Sequence, residues 1–156
     1  ELIFRAVFFR LVQDALGTWM ALALSAALFG ALHLTNPNSS PVAALSIALE
    51  AGVLLGLAYQ AAGRIWLPIG LHLAWNFTQG GVFGVPGSGY NFGAGLFTAT
   101  PQGPAWLSGG SFGAEASLMA VFVCLAGALY FWRRVRAAGR LVRAPWQRPK
   151  AHLSAP

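Results

Sequence analysis

Charge is what this 156-residue sequence has least of: Asp, Glu, Lys and Arg together make up 9% of it, against roughly 25% in soluble domains. So little charge excludes an ordinary water-facing surface. There is a single cysteine, Cys124, which excludes an internal disulfide and a cysteine-based zinc cluster. The acids are Glu1, Asp14, Glu50 and Glu115, and the histidines are His33, His72 and His152. Any acid–base or metal chemistry has to come from that short inventory.

What fills the sequence instead is apolar. Hydrophobic residues make up 56% of it and the mean hydropathy is +0.60. A helix crosses a hydrocarbon core of about 30 Å with about 20 residues. Four stretches reach or approach that length: Leu16 to Leu34, Val42 to Ala62, Ile65 to about Phe83, and Ala116 to Trp132. Glu1 to Val12 is apolar but too short to span. It reads as the second half of a helix whose first half lies outside this sequence, so the chain is expected to be an N-terminally truncated fragment. The expected fold is all-α: a polytopic transmembrane helix bundle of about four full spans plus an N-terminal half-helix, with a Gly-rich outer loop.

Of the ten basic residues, seven follow the last apolar stretch directly: Arg133, Arg134, Arg136, Arg140, Arg143, Arg148 and Lys150. That asymmetry is the positive-inside signature and puts the C-terminus in the cytoplasm. Residues 1–132 are then the membrane core and 133–156 a basic cytoplasmic tail. Counting back places Arg64 and Arg10 on the same side. The segments 35–41 and 80–115, which contain no Lys or Arg, fall outside. The net charge of +6 is therefore read as an orientation signal that meets anionic lipid, not as a nucleic-acid surface. Usage rich in Ala, Gly and Arg points to a bacterial protein and hence to the inner (cell) membrane.

The loops are equally legible. Thr35 to Pro41, "TNPNSSP", is a tight polar turn. Gly80 to Gly113 holds eleven of the nineteen glycines with Pro86, Pro101 and Pro104, a composition that cannot span and must form an outer loop or a cap packed on protein. "GVLLG" at Gly52 to Gly56 has the small-xxx-small spacing that lets two helix backbones approach closely.

Asp14 falls at a predicted turn and is expected to cap the helix starting near Leu16. Glu115 precedes the last span, where a carboxylate favours the helix dipole. Glu1, His33, Glu50 and His72 remain, and ionisable residues within a membrane are functional candidates. Glu50 either pairs with an arginine, stays protonated, or lines a substrate cavity. At about 1.5 Å of rise per residue, Glu1 and His33 come to roughly the same level of an antiparallel hairpin, and His72 and Asn76 also lie within the membrane. Glu1 and Arg5, Phe29 and His33, and His72 and Asn76 are i,i+4 pairs, each sharing a helix face. A His and an Asn one turn apart offer two donors to a developing oxyanion, while a carboxylate and an imidazole on facing helices can bind and deprotonate water. A buried polar network that only fixes helix register is the alternative.

"ELIFR" (Glu1 to Arg5), "FGALH" (Phe29 to His33) and "HLAWN" (His72 to Asn76) resemble, in order, the E-E-x-x-x-R, F-x-x-x-H and H-x-x-x-N/D motifs of the CPBP intramembrane proteases. These include the type II CAAX prenyl endopeptidases and bacteriocin-processing and self-immunity proteins. The resemblance runs from residue 1 to about Gly89. It implies an intramembrane endopeptidase acting on a membrane-associated protein or peptide. A glutamate and His33 would activate water, and His72 with Asn76 would form the oxyanion hole. Glu1 matches the second glutamate of the E-E pair and Arg5 the motif arginine, both positioning partners; the residue matching the first glutamate would precede Glu1. Were Glu1 to act alone, it would be the base itself. A divalent metal such as zinc would draw on His33, His72 and Glu1, although a glutamate-base mechanism needs none, and no tightly bound metal is expected. Prenylated substrates are a weaker expectation than a bacterial membrane-associated peptide. A non-catalytic immunity or scaffold protein of the same fold and a small proton-coupled transporter are the competing readings.

Overall fold

The computed structural model describes residues 1–147; Arg148, Lys150 and His152 of the basic tail lie outside the described residues. Among those described there are helices and no strands. Helix α1 covers residues 2–16, a π-helical stretch Leu2–Phe9 running into α-helix Arg10–Leu16. Gly17 then breaks it with φ 86°, a left-handed conformation that a residue without Cβ adopts freely. The chain returns as α2, Thr18–Thr35. After the Asn36–Ser40 turn, Ser40 caps α3 by accepting from the Ala43 N–H at 3.1 Å, with Pro41 at the first helical position. Helix α3 is Pro41–Ala62. Helix α4 covers residues 66–82, α-helical over Trp66–Asn76 and π-helical over Phe77–Val82. A long irregular segment follows, and Ser117 caps α5, Leu118–Ala137, by accepting from Ala120 N–H.

Three of these helices, α2, α3 and α5, are long and apolar enough to cross a membrane. Helix α4, at the place expected for a further span, is not among them. Its 17 residues rise only about 25 Å against a hydrocarbon core of about 30 Å, and His72, Asn76 and Gln79 interrupt its apolar surface. Helix α5 also runs five residues past Trp132, the expected end of the last span.

Close backbone approach sets the centre of the bundle. A Cβ on Gly52 of α3 would stand 2.7 Å from Ala26 Cα of α2, and one on Gly30 2.4 Å from the Ala44 carbonyl oxygen; the small-residue spacing is thus a helix-packing seam. Phe9, Ala21, Leu22, Leu57 and Ala128 form one core cluster, and Phe29, Ala43, Ile47 and Phe112 a second. Large apolar side chains such as Leu11, Trp19, Leu73 and Phe122 face outward, as a lipid-facing surface requires.

Each end of the bundle is tied by polar contacts. At one, Gln13 donates to Thr18 Oγ1 (3.0 Å) and Gln60 Oε1 (2.8 Å), Val142 N–H donates to Thr18 Oγ1 (2.8 Å), and Gln60 and Arg140 bond each other's helix end. At the other, Asn36 donates to the Ser88 carbonyl at 2.9 Å, joining the 36–40 turn to the Gly-rich segment. That segment packs as a cap, with Val85 and Phe112 buried. Asp14 does not cap a helix: it lies exposed inside the Arg10–Leu16 helix, and Gly17 occupies the cap position without a side-chain bond.

Candidate active site

His33 ends the regular part of α2, where the helix tightens into a 3-10 turn over His33–Thr35. Its ring Nδ1 is 2.7 Å from the Phe29 carbonyl oxygen. A carbonyl only accepts, so Nδ1 carries the proton and Nε2 is the free nitrogen. His72 and Asn76 stand one turn apart on α4. The three side chains line one cavity of about 250 Å³ together with Phe29, so α2 and α4 converge as the spacing predicts.

Glu1 stands beside this cavity. Its side chain is 5% exposed; Oε2 accepts from Arg5 Nε at 3.0 Å, and Oε1 lies 3.1 Å from His72 Nδ1. With Phe29, His72 and Asn76 it also lines an adjoining open hollow. Arg5, fully buried, also donates to Ser25 Oγ (3.4 Å) and the Ala51 carbonyl (3.0 Å). Phe29 is the spacer. Its ring centroid is 4.8 Å from that of His33 and 6.1 Å from that of His72, with the Arg5 guanidinium carbon 5.3 Å away. Both oxygens of Glu1 are thus engaged, one by Arg5 and the other by His72.

Two further acids line the same cavity. Glu50 does not pair with an arginine: it is 3% exposed and its Oε1 has no hydrogen-bond partner. Glu115, expected only as a helix-terminal carboxylate, is turned inward. Its Oε2 accepts from both the N–H and the hydroxyl of Ser88, each at 2.8 Å. Burial pushes the Glu115 carboxyl above its ordinary range, outweighing Ser88, His33 and the Trp75 hydrogen bond, which pull it down. The sequence held one signal for Glu115, as the only charged residue in 80–115; Ser88 and Trp75 carried none.

The set His33, His72 and Glu1 does not assemble as metal ligands. Among the described residues no three His, Cys, Asp or Glu side chains are grouped so that they could hold a metal ion.

A family model described as type II CAAX prenyl endopeptidase Rce1-like matches residues 1–78, half of the chain, which includes Glu1, Arg5, Phe29, His33, His72 and Asn76. No curated protein and no solved structure matches.

Proposed function

The chain belongs to the Rce1-like type II CAAX prenyl endopeptidase family, a protease family, and from that premise we propose that it is an intramembrane endopeptidase that hydrolyses a peptide bond of a membrane-associated protein or peptide. The observation that carries this reading is the hydrogen bond between His33 Nδ1 and the Phe29 carbonyl. With Nδ1–H donated to Phe29, Nε2 is left as a base on a side chain that shares its cavity with His72 and Asn76.

In the reaction, His33, with the carboxylate of the family's glutamate pair, takes a proton from water as the water oxygen bonds to the scissile carbonyl carbon. The carbonyl oxygen becomes an oxyanion. Asn76 Nδ2 donates to it, and so does His72 Nε2–H when that ring carries both protons, its Nδ1–H being held by Glu1. Collapse of the tetrahedral species breaks the C–N bond, and the proton held by His33 passes to the leaving nitrogen. We place the protein in the bacterial inner membrane with its C-terminus cytoplasmic, supported by the apolar helices and by the basic residues after Trp132.

Purified protein in nanodiscs and a membrane-anchored fluorogenic peptide test the reading. His33→Ala and His72→Ala are each expected to lower kcat by about 10²- to 10⁴-fold while the melting temperature stays near that of wild type. Full activity in both variants would sink the proposal.

A further inference from the structure

The proposed reaction leaves one acid in the cavity unused. Glu50 is 97% buried by the measure of its 3% exposure, its Oε1 lacks a donor, and it shares the cavity wall with Leu54, Leu55, Cys124 and Phe131. A buried acceptor without a partner is costly, and native proteins rarely leave one that way. Among the described residues none supplies the donor. No Lys or Arg lines the cavity, and Arg5 is committed to Glu1, Ser25 and Ala51. Glu115 lines the same cavity.

The site therefore combines apolar walls and a buried carboxylate oxygen without a donor, with no Lys or Arg in its lining. Its volume of about 250 Å³ lies below the roughly 300–1,000 Å³ of pockets for drug-sized ligands, a scale that suits one long side chain. An aliphatic stem ending in a cation fits all of these conditions: the stem buries against the apolar walls and the head pairs with a carboxylate.

We propose that the Glu50 end of the cavity is a subsite for a Lys or Arg side chain of the substrate, whose stem lies along Leu54, Leu55 and Phe131 and whose cationic head gives Glu50 Oε1 its missing donor. Naming the ligand as part of a peptide substrate rests on the endopeptidase reading; the cation site itself does not.

Two measurements separate them. The full chain in nanodiscs is treated with dicyclohexylcarbodiimide, which adds to buried carboxyls, and the Glu50 adduct is quantified by mass spectrometry with n-pentylammonium or n-pentanol as competitor. The ammonium is expected to protect Glu50 about tenfold better than the alcohol of the same stem; equal protection overturns the proposal. Anchored peptides carrying Lys or norleucine at each scanned position are then compared. One position is expected to favour Lys about tenfold in kcat/KM, and Glu50→Gln to bring that ratio near one. Cleavage with no such preference at any position overturns the subsite and leaves the endopeptidase standing. Ammonium protection without any cleavage supports the cation site and removes the endopeptidase.

Discussion

Arg5 shows how a single buried charge organises the residues around it. Its guanidinium has no exposed surface and bonds Glu1, Ser25 and the Ala51 carbonyl, tying α1 to α2 and α3. Removing one partner of a buried pair leaves the other charge uncompensated, so Arg5→Ala is expected to destabilise the fold by about 3–5 kcal/mol, read as lost stability in a denaturant titration of the detergent-solubilised protein. His72→Ala, by contrast, leaves Glu1 paired with Arg5 and is expected to change stability far less while activity falls. Asn76 is the cleaner probe of oxyanion binding, since among the described residues it has no hydrogen-bond partner to lose. Asn76→Ala should lower kcat by about 10²- to 10³-fold with KM little changed, and a change confined to KM would assign it to substrate binding instead. His33, His72, Asn76, Arg5 and Phe29 were all legible in the sequence because i,i+4 spacing places each pair on one helix face.

At the scale of elements, three helices depart from α geometry beside the site: α1 over Leu2–Phe9, α3 over Ala48–Val53 and α4 over Phe77–Val82. The first carries Arg5, the second Glu50 and Ala51, and the third Gln79, which donates to the Pro86 carbonyl of the cap. π-Helical turns are rare and recur at functional sites; here they coincide with the buried polar side chains Arg5, Glu50 and Gln79. Apolar periodicity does not report where such turns fall, which is why Glu50 remained open between an ion pair, a protonated carboxyl and a cavity wall. The α2–α3 seam makes a sharper prediction. A Cβ at Gly52 meets Ala26 Cα at 2.7 Å, whereas one at Gly56 meets the flexible end of Leu22 at 2.9 Å. Gly52→Ala should therefore cost about 1–3 kcal/mol and Gly56→Ala distinctly less, as measured by melting temperatures in one detergent; the reverse order would place the tight seam elsewhere.

Across the whole molecule, the cap and the cavity wall are one structure. Ser88 reaches Glu115 with two donors and receives Asn36 on its carbonyl, so the loop after α4, the turn before α3 and the start of α5 meet over the cavity. Burial raises the Glu115 carboxyl above its ordinary value of 4.5, so the folded state binds its proton more tightly than the unfolded state does. Its contribution is full below about 4.5 and is lost as pH rises through the raised folded value. The melting temperature of wild type relative to Glu115→Gln is accordingly expected to fall as pH climbs from 4.5; a flat difference would mean that the carboxyl ionises alike in both states. The sequence by itself determined the all-helical, membrane-type fold, the orientation signal in its basic residues and the three motifs, because hydropathy, charge asymmetry and helical spacing are local properties. Only the tertiary structure decided that Glu1 contacts both His72 and Arg5, that α4 is a short helix, that Asp14 caps nothing, and that Glu50 and Glu115 face the cavity with His33. Those outcomes depend on which helix faces meet and on where a glycine-rich segment folds back, and such long-range packing leaves no periodic mark along the chain.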